Sequence, residues 1–286
     1  MFKIAILGCE NSHADAFIKL IQEGKYPELE VVGVYTDDES ANERMRTNYG
    51  VYTAKSHDEF VGAVDGIMIT ARHGDNHLKY ALPYIETGMP IFIDKPATAS
   101  VEDARKFAAL LEKYKNPFSG GSSCICTDEV RAIKAGIEGG EYGRVIGGYL
   151  RAPVDLKNAY GDFWFYAQHL VQIMQETFGY YPKSVRAFVR EGAVNCVYRY
   201  DDYDVYAEFV AGNYLYHLSV SGEKTVAHTD ILVNEAIYVH EMNEYYSVTR
   251  GGENPFSLSD FFAPVFVIDA TIRAIASGNE EIIGRI

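Results

Sequence analysis

Asp65-Gly66-Ile67-Met68-Ile69-Thr70, followed by His77 and then by Gly88-Met89-Pro90-Ile91-Phe92-Ile93-Asp94-Lys95-Pro96-Ala97-Thr98, is the stretch on which the fold turns. Gly66 to Thr70 and Pro90 to Asp94 are short, uninterrupted apolar runs, the pattern of strands buried on both faces. His77 to Thr87 between them has helical spacing, and Gly88 closes it. A strand, a helix and a second strand joined by short loops imply parallel pairing through a right-handed crossover.

The same alternation extends outward. Lys3 to Leu7 is a buried strand ended by Gly8, and a helix follows with Phe17, Leu20 and Ile21 on one face. Leu29 to Tyr35 is a strand, Ser40 to Tyr49 a helix, Val101 to Tyr114 a helix, and Pro117 to Ser122 a last strand before a domain boundary. Beyond it, helices are expected at Asp128–Gly139, Phe163–Phe178 and Pro264–Ser277. Strands are expected at Arg144–Arg151, Ser184–Arg190, Ala193–Tyr200, Val205–Val210, Tyr214–Val220, Ile231–His240 and Tyr245–Thr249, with turn residues between several of them. The expected architecture is α/β: a Rossmann-type parallel sheet in residues 1–121, then an α+β domain with a largely antiparallel sheet in residues 122–286.

Composition narrows the functional classes. The chain has 286 residues, 48% hydrophobic and 23% charged, with a formal charge of −14. That charge disfavours nucleic acid or an anionic membrane as partner, since both need clustered Lys and Arg. No apolar run reaches membrane-span length and the N-terminus enters a strand directly, so a cytoplasmic location is expected. The four cysteines are too few and too scattered for a disulfide scaffold, and Cys124-Ile125-Cys126 lacks a second pair at zinc-ligand spacing. Of 22 tyrosines, most follow Tyr149. A Tyr-rich, one-sided sheet needs cover, which points to a homo-oligomer, a dimer or tetramer.

The turn after the first strand reads Gly8-Cys9-Glu10-Asn11-Ser12-His13-Ala14-Asp15. A dinucleotide turn needs small residues so that the backbone can approach a pyrophosphate, with the spacing G-x-G-x-x-G. Only Gly8 conforms; Glu10 and His13 occupy the second and third glycine positions. Ser12-x-x-Asp15 has the form of a capping box, making Ser12 the expected cap. N–H groups and the helix dipole near Asn11, Ser12 and His13 remain available to a phosphate. At the end of the second strand an acid typically binds the ribose 2′-hydroxyl. Thr36 takes that place with Asp37 one position later, and no Arg follows directly, which favours NAD and leaves NADP open.

From Asp65 to Thr98 the chain resembles the glucose–fructose oxidoreductase / inositol dehydrogenase family. Its members typically carry D-A-V-x-I-A-T-P-N, a downstream His, a helix and then G-x-x-V-x-x-E-K-P. Here Asp94-Lys95-Pro96 stands for E-K-P, Thr70-Ala71-Arg72-His73 replaces the T-P-N loop, and His77 matches the family His near the cofactor. The resemblance implies cofactor contacts from Thr70, His77, Asp94, Lys95 and Pro96, a Lys95 directed at the substrate hydroxyl, and an X–Pro bond that can be cis. A Lys desolvated in a cleft has a lowered pKa and suits transfer of a hydroxyl proton.

The family's second signature, D-x-G-x-H on a long helix, corresponds to Phe165-Tyr166-Ala167-Gln168-His169. His169 matches the family His; Phe165 stands where the Asp would be. Asp162, two turns earlier on the same face, and Tyr166, three residues earlier, are the expected replacements.

The resulting expectation is an NAD(P)-dependent oxidoreductase of a sugar, inositol or related polyhydroxy compound, with Lys95, His169, Tyr166 and Asp162 as catalytic candidates and no resident metal. The alternative is a family member that binds a ligand or nucleotide as a sensor or scaffold without turnover. A third reading, metal-dependent lyase or hydrolase chemistry through His73, Asp75 and His77, is disfavoured by Gly74 and the loop position.

Overall fold

Five parallel strands form the first sheet: β1 (Phe2–Leu7), β2 (Leu29–Tyr35), β3 (Gly66–Ile69), β4 (Ile91–Asp94) and β5 (Phe118–Gly121), in the order β2-β1-β3-β4-β5. The computed structural model describes residues 1–286. Helices α1 (Ser12–Gln22), α2 (Glu39–Tyr49), α3 (Asp75–Ile85) and α4 (Val101–Tyr114) make the connections. Every residue of β3, β4 and β5 is buried, which is why these strands read as continuous apolar runs.

A single parallel bridge between Val34 and Thr53 extends the sheet beyond β2. Thr53 is thus a rudimentary edge strand, and counting it turns the strand order into that of a doubly wound dinucleotide sheet. Strand order reverses between β1 and β3, so the crevice of such a sheet lies outside the carboxyl ends of these two strands.

The remaining elements are α5 (Asp128–Glu138), β6 (Val145–Val154), α6 (Phe163–Phe178), β7 (Ser184–Arg190), β8 (Ala193–Arg199), β9 (Asp204–Ala211), β10 (Tyr216–Gly222), β11 (Val226–Ile231), α7 (Ala236–Thr249), α8 (Leu258–Ser277) and β12 (Glu280–Ile282). A short 3-10 turn, Ser123–Cys126, follows β5 and holds Cys124 and Cys126, both buried and outside any disulfide. The second sheet runs β11-β10-β6-β9-β8-β7-β12 and is antiparallel except for the β6–β9 pair. One face is apolar: Leu150, Tyr198, Val205, Phe209, Leu218 and Val220 are buried. Helices cover it, with Phe163 of α6 ring-to-ring against Phe209 and the Tyr198 hydroxyl bonded to Thr271 of α8. The opposite face carries Tyr149, Phe188, Tyr206 and Glu208, with the first three exposed.

Two compact units result: Met1–Gly121 with Tyr238–Leu258, and Ser122–Ile237 with Ser259–Ile286. Ile231 ends β11, while the second half of the strand expected at Ile231–His240 and the strand expected at Tyr245–Thr249 are instead the single helix α7. Ile237, Glu241, Met242, Tyr245 and Val248 are its buried residues, a helical spacing that the β-branched and aromatic content masks. Met242 and Tyr245 enter the core of the first unit among Ile4, Phe17 and Phe92. α8 also starts earlier than expected and carries Pro264 in its interior.

Candidate active site

The turn after β1 is held from several sides. Gly8 adopts φ +91°, and a Cβ there would collide with the backbone of Ala71. Its N–H donates to Tyr35 O at 2.7 Å, and its carbonyl accepts from Thr70 Oγ1 at 3.0 Å. Arg44 donates to Cys9 O at 2.8 Å and grips Asp15 with two further hydrogen bonds. The cap of α1 is Asn11, whose side chain accepts from His13 N at 3.3 Å; Ser12 is the first helical residue. The expected capping box therefore does not form, because Asp15 is committed to Arg44.

Glu10 spans the strand ends. Its carboxylate accepts from Thr36 Oγ1 at 2.8 Å and from Arg72 N at 2.9 Å, linking the loops after β1, β2 and β3. Thr36 thus sits where the sequence places it but engages Glu10, while the Asp37 carboxylate accepts the Tyr35 hydroxyl. Of the acids near the second strand end, Glu10 is the one that bridges the strand ends.

His77 is fully buried and its Nε2 donates to Ala71 O at 2.8 Å. Burial holds the imidazole pKa below its ordinary value despite that bond and the nearby Asp94 and Glu10 charges. His77 is therefore a neutral brace for the loop after β3, not half of an i, i+4 metal pair with His73, whose Nδ1 lies 3.7 Å from Asp75.

At the end of β4, Asp94 is fully buried and Lys95 is 4% exposed; the Lys95–Pro96 bond is cis. Asp94 accepts from Lys95 N at 2.7 Å and Asn11 Nδ2 at 3.0 Å, and pairs with His13 Nδ1 at 2.8 Å. Burial alone would raise the Asp94 pKa; the His13 and Lys95 charges and the N–H bond outweigh it and hold the carboxylate below its usual range. Asn11, His13, Asp94 and Lys95 are therefore one cluster. The structure adds a member that the sequence did not reveal: Glu241 of α7, 2% exposed. Burial, then Asp94 and Glu244, push its carboxyl well above the usual range.

In the second unit, His169 lies on α6 and is 5% exposed. Its Nδ1 is bonded to Ser122 Oγ at 2.7 Å. Ser122 is itself fixed, its N–H donating to Gln172 Oε1 at 2.8 Å, and Gln168 Nε2 donates to the same oxygen at 3.2 Å. Ser122, which the sequence did not single out, is thus the hydrogen-bond partner of this ring nitrogen. Tyr166 instead sets its ring edge-on to the imidazole, with centroids 5.1 Å apart. Asp162 precedes the helix at φ +53°, and its carboxylate accepts from Asn158 N at 2.9 Å. Phe165 packs between Tyr160 and Tyr166.

The first unit fits a dinucleotide on its own geometry. Gly8 leaves no side chain over the turn, and α1 begins at its edge. Residues 2–122 match the family model described as "Oxidoreductase family, NAD-binding Rossmann fold". No curated protein sequence matches the chain. Among solved structures, myo-inositol 2-dehydrogenase from Lactobacillus plantarum superposes with a TM-score of 0.86 at 14% identity, covering 99% of each chain. Scyllo-inositol dehydrogenase from Lactobacillus casei, with bound NAD(H) and scyllo-inositol, gives 0.85 at 14% identity over 99% of each chain. GenD2 from gentamicin A biosynthesis, in complex with NAD, gives 0.86 at 15% identity over 99% of this chain and 96% of its own. At these identities the superpositions establish a common fold. Residues 2–122 thus match the NAD-binding Rossmann fold of the Gfo/Idh/MocA oxidoreductase family.

Proposed function

We propose that the protein is an NAD-dependent dehydrogenase of a small polyhydroxy compound, a sugar, an inositol or a relative of these. The observation that carries the reading is the placement of Lys95 at the carboxyl end of β4, with its backbone tied to a buried, ionised Asp94. Solved relatives of the same fold include inositol dehydrogenases, one of them with NAD(H) and scyllo-inositol bound.

Oxidising an alcohol removes a hydride and a proton. When bound, NAD supplies the hydride acceptor. The chain supplies the rest: Lys95 takes the hydroxyl proton, and His169, set by Ser122, orients the substrate hydroxyl. Tyr166 and Asp162 are assigned to other hydroxyls of the substrate. Asn11, Ser12 and His13 at the start of α1, with Gly8, Thr70 and Pro96, form the cofactor side of the site, and His77 braces it. Glu10 takes the ribose-reading role that Thr36 and Asp37 would otherwise share. As an anion it also repels a 2′-phosphate, which favours NAD over NADP.

The second reading, a sensor without turnover, draws on Glu10 and His13 at glycine positions and Phe165 at an acid position. Lys95→Ala separates the two. A dehydrogenase loses NAD reduction on polyols by about 10²–10⁴-fold while retaining NADH affinity within a few-fold. A wild-type protein that binds NADH but reduces no NAD across inositols, sugars and sugar acids is the sensor.

A further inference from the structure

The buried cluster at the end of β4 is incomplete as it stands. Both Asp94 oxygens have N–H partners, but neither oxygen of Glu241 has a hydrogen-bond partner. Burying a carboxyl group without a donor is costly, and native structures rarely leave one so. Lys95 is near enough to act on Glu241 through its charge, yet it gives those oxygens no hydrogen bond. His13 Nδ1, an Asp94 oxygen and a Glu241 oxygen all lie within 4.8 Å of one another. They come from three elements, the first turn of α1, the end of β4 and the middle of α7, and each is at most 6% exposed.

The departures from the family pattern meet here. His13 replaces the third glycine of the turn, and Asp94 replaces the glutamate of E-K-P with a side chain one methylene shorter. One change supplies an imidazole and the other shortens the facing arm.

We propose that His13, Asp94 and Glu241 form a binding site for a divalent first-row transition ion, of the zinc or manganese class. An imidazole with two carboxylates is a donor set for such ions, and two anionic ligands balance the ion's charge. Calcium and magnesium, which prefer six or more oxygens or retained waters, suit it poorly. The ion sits between His13 Nδ1 and Asp94 and satisfies Glu241. By fixing Asp94, it also fixes the backbone of Lys95.

The test is metal analysis of the purified full-length protein after dialysis, together with Co²⁺ titration of chelator-treated protein. Near-stoichiometric zinc, manganese or iron is expected. So are visible Co²⁺ absorption bands of an imidazole–carboxylate site and a rise in unfolding temperature on adding the ion. Glu241→Gln, near-isosteric but uncharged, and His13→Asn are each expected to lose at least tenfold in Co²⁺ affinity while keeping the wild-type circular dichroism. If a variant fails to fold, the wild-type metal content and Co²⁺ spectrum decide. The proposal is overturned if the protein purifies metal-free and neither Zn²⁺, Mn²⁺ nor Co²⁺ at millimolar concentration alters its spectrum or unfolding temperature. It is equally overturned if both folded variants bind the ion as wild type does.

Discussion

The 2.7 Å bond between Ser122 Oγ and His169 Nδ1 fixes the imidazole by one ring nitrogen. Ser122→Ala should therefore lower kcat by about ten- to a hundredfold, a part of what a full acid–base group contributes, with KM little changed. A KM effect alone would show that Ser122 shapes binding rather than the ring's orientation. Gly8→Ala forces a Cβ into Ala71 at φ +91°. It should cost at least about 2 kcal/mol in denaturant unfolding and abolish NADH binding. His77 gives a pH signature. Because burial lowers its folded pKa, the unfolded chain takes up the proton first as pH falls below about 6.5. Its contribution is complete above that pH and is lost below it, at up to about 1.4 kcal/mol per pH unit until the lower folded value is reached. His77→Gln should flatten this segment of the stability curve, and an unchanged slope would contradict the assignment. At this scale the sequence supplies the residues but not their partners. Ser122 lies 47 positions from His169, and Asn11 lies 83 from Asp94. No spacing rule connects such pairs; only the fold brings them together.

The helix α7 shows where element-level reading works and where it does not. In β3 and β4 local pattern and tertiary environment agree, since strands covered on both faces must be apolar throughout. In α7 they conflict: Ile237, Tyr238, Val239, Tyr245, Tyr246 and Val248 have strand-like character, while burial recurs at helical intervals. Packing against the first unit's core overrides propensity, and the same misreading concealed Glu241. Tyr245 tests the packing. It is fully buried with its hydroxyl unbonded, close to Gly66. Tyr245→Phe keeps the ring and removes the unbonded group, so it should be neutral or stabilise by up to about 1 kcal/mol in thermal or denaturant unfolding. A loss above about 1 kcal/mol would mean that the hydroxyl has a partner.

For the whole molecule, the two-sheet architecture was legible because its signals are periodic: strand–helix alternation in the first part, turn-punctuated strands in the second. No helix is long and apolar enough to cross a membrane. The rudimentary edge strand at Thr53 and the parallel β6–β9 pair were not legible, since neither leaves a local pattern. The open face of the second sheet carries Phe188 and Tyr206, each about half exposed, beside a Glu208 that binds Arg151 and Arg190. We propose that a second copy of the chain covers this face. Light scattering should then give a dimer or tetramer, and Tyr206→Asp should shift it towards monomer without changing the circular dichroism; a wild-type monomer would refute this. The central claim is that the crevice outside β1 and β3 holds NAD for dehydrogenase chemistry beside Lys95. Its most direct test is titration of the purified protein with NADH, followed by nicotinamide fluorescence. Saturable binding below millimolar concentration, weaker for NADPH, is the expected result. No binding of either nucleotide at millimolar concentration would contradict it.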